Sequence, residues 1–179
     1  MNVLLLVNGY AHSGKDIFAE LLKGECKLLN LKVKKISSID PVKSALTPLG
    51  YTGKKTEEER IFLSSVKDAW IKFNNGPFNF IKDKVNIIKN AFNIIIVDVR
   101  EITEIRKLKS EFSDICKTVF ISRINNTVEP EYLCSKWETA LISLKHEYDY
   151  ILYNDKDIAS FKNVVIEFLN NLQNDMKVK

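Results

Sequence analysis

Residues 9–16, with the sequence GYAHSGKD, have the most recognisable chemistry in this chain. Their spacing matches the pattern G-x-x-x-x-G-K, in which the backbone N–H groups of a glycine-bearing loop close around phosphate oxygens. A helix that begins at the end of such a loop directs the positive end of its dipole at the same anion, and Lys15 can then reach the outer phosphates. The segment predicts a phosphate-binding loop; the alternative is a glycine turn that only joins two elements.

Asp16 departs from the usual form of this loop, in which Ser or Thr follows the lysine. A hydroxyl at that place normally ligates the magnesium ion of Mg-ATP, whereas a carboxylate has a different geometry and charge. We expect Asp16 to hold Mg²⁺ through a water molecule. The residues predicted to contact ATP are Gly9, Ala11, His12, Ser13, Gly14, Lys15 and Asp16.

Asp98 and Arg100 lie where a buried strand is predicted to end, after the apolar residues 94–97. The carboxyl end of a parallel strand faces the ligand crevice of the sheet, so the carboxylate of Asp98 could orient magnesium or an attacking oxygen. The guanidinium of Arg100 could bind a phosphate. Two alternatives stay open: Asp98 could cap the next helix, and Arg100 could pair with Glu104 along that helix.

Arginine is scarce in this chain, because only four of its 27 basic residues are arginines. The planar guanidinium suits bidentate contacts with phosphate, so each arginine is a candidate for such a contact. Arg123 follows a predicted strand and starts a polar stretch, from which it could close over a transferring phosphate. A solvated loop cation is the alternative. The predicted catalytic group consists of Lys15, Asp98, Arg100 and Arg123.

Aromatic residues offer a surface on which a nucleobase could stack, and we assign Trp70 to acceptor binding on that basis. Packing into the core is the alternative, because aromatic residues at helical spacing are more often buried. The aromatic residues concerned are Tyr51, Phe62, Trp70 and Phe73.

Strands that alternate with helices are predicted to position these residues. The apolar run 3–7 predicts a strand before the phosphate loop, and apolar residues at helical spacing predict a helix at about 15–30. The same alternation continues along the chain, which implies a parallel sheet with helices on both faces. Further strands are predicted at 33–38, 94–98, 117–122 and 150–153, and further helices at 42–46, 56–73, 78–90, 101–110, 130–145 and 157–172.

Residues 56–90, between the second and third predicted strands, form a helical stretch with no predicted strand inside it. Thr56, followed by Glu59 three residues later, has the form of a capping box that opens a helix, and the sequence NNGP at 74–77 breaks that helix. We predict that residues 56–90 form a helical insertion that binds the acceptor or closes over the site. The predicted fold class is α/β, a three-layer α/β/α P-loop domain with about five parallel strands.

Length and composition favour a single domain over residues 1–179. The chain is 45% apolar and 28% charged, and its length allows one sizeable core. The net charge of +4 is mild, and Lys and Glu are interspersed at 54–60, which favours small anions over a nucleic-acid polymer as partners. The oligomeric state stays open, a homodimer included.

Cysteine usage and hydropathy indicate the compartment. The three cysteines have no C-x-x-C spacing, so neither a disulfide framework nor a zinc site is suggested, and a reducing cytoplasm fits best. The apolar run 3–7 is too short for a signal peptide or a membrane span, so no membrane partner is expected.

Four blocks of the sequence, in order, resemble the phage and bacterial deoxynucleoside monophosphate kinases, a family of the adenylate-kinase-like P-loop group. The loop ending in Asp16 is similar to that family's G-K-D loop, and Asp98-Val99-Arg100 is similar to its D-V-R block, although the usual Phe-Pro-Asn after the arginine is absent. The other blocks are similar to its D-P-x-K segment, its S-E block and its terminal D-Y-x-I-x-N strand. They are Asp40-Pro41-Val42-Lys43, Trp137-Glu138 with Trp137 in place of Ser, and residues 148–154.

The resemblance implies an enzyme that uses ATP and Mg²⁺ to phosphorylate a deoxynucleoside monophosphate, giving the diphosphate and ADP. A phage-encoded member would act in the cytoplasm of its host. The resemblance further implies that Lys15 binds the donor phosphates, that Lys43 and Arg100 hold the acceptor's phosphate, and that Arg123 acts from a lid. Asp40 and Asp98 would line the acceptor side.

Two other functions stay open at this point. Animal-type phosphomevalonate kinases share the G-K-D loop, so the acceptor could be another phosphorylated metabolite. A P-loop module that binds nucleotide without turnover is the third possibility. Such a module has no need of a second cationic site, whereas Lys43, Arg100 and Arg123 are all available for an acceptor phosphate.

Overall fold

A parallel sheet of five strands forms the centre of the protein. The computed structural model describes residues 2–10, 12–54, 56–123 and 147–177. Within these, the strand order is β2-β3-β1-β4-β5, and every neighbouring pair is parallel. The five predicted parallel strands are therefore confirmed. The strands are β1 Val3–Gly9, β2 Val33–Ser37, β3 Ile94–Asp98, β4 Cys116–Ser122 and β5 Tyr150–Tyr153.

The central strands are buried on both faces, which explains their continuous apolar sequences. All seven residues of β1 are buried, and so are the four apolar residues of β3. Because side chains alternate along a strand, Leu4 and Leu6 enter the core on one face, while Val3, Leu5 and Val7 enter the core on the other.

Four of the six helices of the described residues cover these two faces. Helices α1 and α6 pack on one face, through residues such as Phe18 and Phe168, and α4 and α5 pack on the other, through residues such as Ile81 and Leu108. This is the predicted three-layer arrangement. The helices are α1 Lys15–Leu28, α2 Asp40–Leu46, α3 Glu57–Asn74, α4 Gly76–Ile88, α5 Ile102–Glu111 and α6 Ile158–Lys177, with a 3-10 turn at Thr47–Leu49.

The predicted helical region between the second and third strands consists of α3 and α4. Thr56 caps α3 as its sequence predicted, because its hydroxyl accepts a hydrogen bond from the backbone N–H of Glu59 at 3.3 Å. The predicted break is also confirmed. Asn75, with a φ of 54°, separates α3 from α4, and Pro77 occupies the first turn of α4, where its missing N–H costs nothing.

Some expectations fall outside the described residues. Ala11 of the phosphate loop, Trp137 and Glu138 of the S-E block, and the predicted helix 130–145 belong to this group. Within the described part of the chain, no helix has the length and apolar character needed to cross a bilayer.

Candidate active site

The phosphate loop lies between β1 and α1, and two of its glycines are required by close packing. A Cβ added to Gly9 would overlap the carbonyl oxygen of Ile121 on the adjacent strand β4. Gly14, the N-cap of α1, has a φ of 97°, and a Cβ there would overlap the side-chain amide of Asn154. The glycines therefore allow the loop to sit against β4 and against the chain that follows β5.

Lys15, the first residue of α1, closes the loop on itself. Its Nζ donates hydrogen bonds to the carbonyl oxygens of Gly9 and Tyr10, both at 2.7 Å. A bound polyphosphate would compete for the same ammonium group. The side chain of Lys15 thus lies within the loop. Its contact with the donor phosphates stays a prediction.

Two buried asparagines support the loop from outside it. Asn8, fully buried, accepts a hydrogen bond from the N–H of Gly9 at 2.7 Å through Oδ1, and its Nδ2 donates to the hydroxyl of Tyr148 at 2.9 Å and to the carbonyl of Arg100 at 3.3 Å. Asn154 donates from Nδ2 to the carbonyl of Ser13 at 3.0 Å. The loop is therefore tied to the chain after β3 and after β5.

Sequence reasoning assigned no role to either asparagine. Asn8 follows the apolar residues of the buried strand β1, and a polar residue there was the available signal. Asn154 follows β5, a partly exposed strand, so its burial had no such signal. Burial raises the pKa of Tyr148, the partner of Asn8, to about 12, although the hydrogen bond from Asn8 acts in the opposite direction. The phenol therefore stays protonated at neutral pH.

Asp98 and Arg100 lie beside the phosphate loop because β3 pairs directly with β1. In that register Val7 faces Asp98. The Oδ1 atom of Asp98 is buried and has no hydrogen-bond partner among the described residues, and such an orphaned carboxylate oxygen costs free energy unless a ligand pairs with it. The N-cap of α5 is Glu101, so Asp98 does not cap that helix.

The guanidinium of Arg100 is exposed and makes no hydrogen bond or ion pair with another described residue. Its alternative partner, Glu104, binds Lys67 instead, at 3.1 Å. Lys67 also binds Glu101 at 2.8 Å, and the hydroxyl of Ser38 lies 3.5 Å from Glu104. No sequence pattern indicates this cluster, because Lys67 is one of many lysines in the chain.

Burial and pairing shift the proton affinities in this cluster. Burial acts to lower the pKa of Lys67, but the charges and hydrogen bonds of Glu104 and Glu101 outweigh it, so the pKa lies above its ordinary value. Burial raises the pKa of Glu104, and Lys67 offsets only part of that increase. Lys67 therefore carries its charge at neutral pH.

Asp16 is largely exposed and forms an ion pair with Lys35 of β2. Lys35 was not among the predicted site residues. Within the described part of the chain, no cluster of three or more His, Cys, Asp or Glu side chains could hold a metal. The metal role of Asp16 stays a prediction.

The remaining predicted residues lie at the same edge of the sheet or on the insertion. Asp40 accepts a hydrogen bond from the N–H of Ser37 at 2.9 Å, just after β2, and Lys43 is exposed on α2. Trp70 packs against Gly76 between α3 and α4. Arg123 is exposed directly after β4, on the opposite side of β1 from Arg100. The roles of these residues in binding or lid closure stay predictions.

A scan against models of protein families finds no match. An uncharacterized protein of Ureaplasma parvum is 25% identical over 185 residues, an alignment that covers 98% of this chain and 26% of that protein. The chain thus spans about a quarter of the length of this curated relative.

Solved structures show the same fold at low sequence identity. A gluconokinase from Sinorhizobium meliloti has a TM-score of 0.56 and 13% identity, with coverage of 99% of this chain and 96% of its own. The APS kinase CysC of Mycobacterium tuberculosis, in complex with AMPPNP and APS, has a TM-score of 0.55 and 13% identity, with coverage of 94% of this chain and 98% of its own. A shikimate kinase from Aquifex aeolicus has a TM-score of 0.54 and 18% identity, with coverage of 97% of this chain and 98% of its own. The chain therefore has the α/β fold of P-loop kinases.

Proposed function

We propose that this chain is an ATP-dependent kinase whose acceptor is a small phosphorylated metabolite, with a deoxynucleoside monophosphate as the first choice. The observation that carries the proposal is the pairing of β1 with β3, in which Val7 faces Asp98. This register sets a phosphate loop beside an orphaned carboxylate and an unpaired guanidinium, that of Arg100. Donor and acceptor phosphates could meet between them.

On this proposal, the loop holds the donor. The backbone N–H groups and the amino-terminal end of α1 attract the phosphates of ATP, and Lys15 exchanges the carbonyl oxygens of Gly9 and Tyr10 for phosphate oxygens. Magnesium, when bound with ATP, would neutralise phosphate charge, and Asp98 and Asp16 would hold it, at least in part through water.

The acceptor would lie at the carboxyl ends of β2 and β3, where Lys43 and Arg100 are exposed. An oxygen of the acceptor's phosphate attacks the γ-phosphorus of ATP, the bond from that phosphorus to the β–γ bridging oxygen breaks, and ADP leaves. Alignment of the two phosphates and neutralisation of their charge supply most of the catalysis in such a reaction. Arg123 would approach from the other side of the loop.

Two kinds of acceptor are the leading candidates, a deoxynucleoside monophosphate and another small metabolite. The G-K-D loop, the D-P-x-K segment and the D-V-R block support a deoxynucleoside monophosphate. The shared fold of a gluconokinase, a shikimate kinase and an APS kinase favours a wider range of small acceptors, as does the G-K-D loop of phosphomevalonate kinases. The second candidate function is therefore a kinase for another small metabolite.

A coupled assay of ADP release separates these candidates. The panel contains the deoxynucleoside and ribonucleoside monophosphates, phosphomevalonate, shikimate, gluconate and APS, each with Mg-ATP. We expect the highest kcat/KM for one deoxynucleoside monophosphate, and a loss of several orders of magnitude in a folded Lys15→Ala variant. A higher kcat/KM for a different acceptor would support the second candidate. Binding of an ATP analogue without any acceptor-dependent ADP release would indicate a binding module.

A further inference from the structure

We propose that Lys67 is a positioning residue that keeps the guanidinium of Arg100 available for an anion. It does so by holding the carboxylates of Glu101 and Glu104, which would otherwise attract Arg100. The statement that this anion is an acceptor phosphate rests on the proposed function, but the availability of Arg100 can be tested without it.

The cluster joins two parts of the fold. Lys67 belongs to α3 of the helical insertion, whereas the two glutamates belong to the chain that leads from β3 into α5. The side chains of Lys67, Glu101 and Glu104 are 8%, 11% and 6% exposed. Charged side chains are rarely this deeply buried unless they are paired, and here one ammonium group pairs with two carboxylates.

This stoichiometry leaves an excess of negative charge next to Arg100. Arg100 directly precedes Glu101, the N-cap of α5, and lies four residues before Glu104, so its guanidinium is close in sequence to both carboxylates and of opposite charge. Nevertheless, the guanidinium makes no ion pair with the described residues, and both carboxylates face Lys67. The site therefore holds Arg100 in place through the backbone, where Asn8 binds its carbonyl, while its side chain remains unpaired.

Removal of Lys67 leaves the buried carboxylates of Glu101 and Glu104 without their counter-ion. Each buried carboxylate must then take up a proton or attract the nearest cation, because an uncompensated buried charge is costly. If Arg100 is that cation, its guanidinium turns away from the crevice. Phosphate contacts of Arg100 would then be lost although the residue itself is unchanged.

Chemical labelling measures the availability of Arg100 directly. Phenylglyoxal modifies guanidinium groups, and mass spectrometry of peptides can follow each of the four arginines separately. We expect Lys67→Met to slow the modification of Arg100 by about two- to fivefold, as for a partly exposed ion pair. The triple variant Lys67→Met/Glu101→Gln/Glu104→Gln should restore the wild-type rate, because it leaves no carboxylate to pair with. Arg106, which binds Glu147 through two hydrogen bonds, is the internal control.

Kinetics with the best acceptor provide the second measurement. In Lys67→Met the acceptor KM should rise about two- to fivefold, in proportion to the loss of unpaired Arg100, while the affinity for a non-hydrolysable ATP analogue stays constant. In an Arg100→Gln background the same substitution should have no further effect on acceptor kcat/KM. A merely structural role of Lys67 would lower activity and melting temperature in both backgrounds.

Two buried carboxylates without a counter-ion destabilise the fold of Lys67→Met. The double variant Lys67→Met/Glu104→Gln is therefore a second test, in which only Glu101 is left to attract Arg100. Slower labelling of Arg100 in either folded variant, with recovery in the triple variant, supports the proposal. Labelling at the wild-type rate in both would overturn it. If the wild-type protein phosphorylates no acceptor, the proposed function fails, and the labelling still decides the role of Lys67.

Discussion

Gly14 and Asn154 provide a quantitative test of how the phosphate loop is held. Gly14 has a φ of 97°, a conformation that costs a residue with a Cβ roughly 1–2 kcal/mol. A methyl group at this position would also overlap the amide of Asn154, which donates to the buried carbonyl of Ser13 at 3.0 Å. Gly14→Ala should therefore strain the backbone and displace Asn154 from Ser13.

The two costs can be separated with a second variant. Asn154→Ala removes only the hydrogen bond and leaves the carbonyl of Ser13 unsatisfied, a loss of about 1–3 kcal/mol in the free energy of unfolding. Gly14→Ala adds the backbone strain and should cost about 2–5 kcal/mol. The double variant should be no less stable than Gly14→Ala, because the same hydrogen bond can be lost only once. The two losses should thus be non-additive by about the cost of Asn154→Ala alone.

Urea unfolding, followed by circular dichroism and extrapolated linearly to water, measures these free energies. Gly24→Ala is the matched control, because Gly24 is an exposed residue within α1 and a Cβ there meets no other atom within 4 Å. That variant should be stabilised, by up to about 1 kcal/mol. Binding of an ATP analogue should weaken in Gly14→Ala and in Asn154→Ala but not in the control.

Two results would refute this reasoning. If the losses in Gly14→Ala and Asn154→Ala simply add in the double variant, the methyl group does not act through the Asn154 amide. If Gly14→Ala is as stable as the wild-type protein and binds the analogue normally, neither the positive φ nor the close approach constrains the loop.

Three further predictions concern single side chains. Asp16→Ser should keep at least part of the ADP release at saturating magnesium, because a hydroxyl is the usual ligand at that place; complete loss would give the carboxylate a specific role. Arg100→Lys should lower acceptor kcat/KM about tenfold or more, with unchanged affinity for an ATP analogue, because lysine lacks the planar fork. Burial acts to raise the pKa of Asp149, but hydrogen bonds from the hydroxyl and N–H of Thr118 outweigh it and hold the pKa below its ordinary value. A lowered pKa stabilises the fold above the ordinary value of about 3.9 and loses this contribution as the pH falls through the folded-state pKa. Urea unfolding below about pH 4 should therefore show a shallower pH dependence in Asp149→Asn than in the wild-type protein.

Elements that depend on neighbouring residues were predictable from the sequence. The N-cap at Thr56, the break at Asn75 and the strand before the phosphate loop all follow from patterns within a few residues, and all are present. The carboxylate of Glu59, the other half of the predicted capping box, accepts hydrogen bonds from the N–H and hydroxyl of Thr52. Element ends were less accurate. The last helix was expected to end at residue 172, but α6 continues to Lys177, because polar residues on an exposed face give little indication of where a helix stops.

The contacts that support the site could not be predicted in the same way. Asn8 and Tyr148 are 140 residues apart, and Asn154 and Ser13 are 141 residues apart, so no local pattern connects them. Lys67 is buried because α3 packs over the chain after β3, and the burial of a charged side chain depends on that packing rather than on its own sequence context. The sequence thus identified residues that could contact phosphate but not the residues that hold them.

The topology of the sheet gives an independent reason to expect the donor in the phosphate loop and the acceptor beside Arg100. The connection that leaves β1 runs through α1 on one face of the sheet, and the connection that leaves β3 runs through α5 on the other. Between two adjacent strands whose connections diverge in this way, a crevice opens at their carboxyl ends, and ligands of open α/β sheets bind there. Here that crevice lies between the phosphate loop and Asp98, with Arg100 at its β3 side. Arg123 follows β4, on the other side of β1 and outside this crevice. If ATP occupies the loop, Arg100 faces the ligand that enters between β1 and β3, and this is the physical reason to expect that its substitution changes acceptor kinetics and leaves donor binding intact.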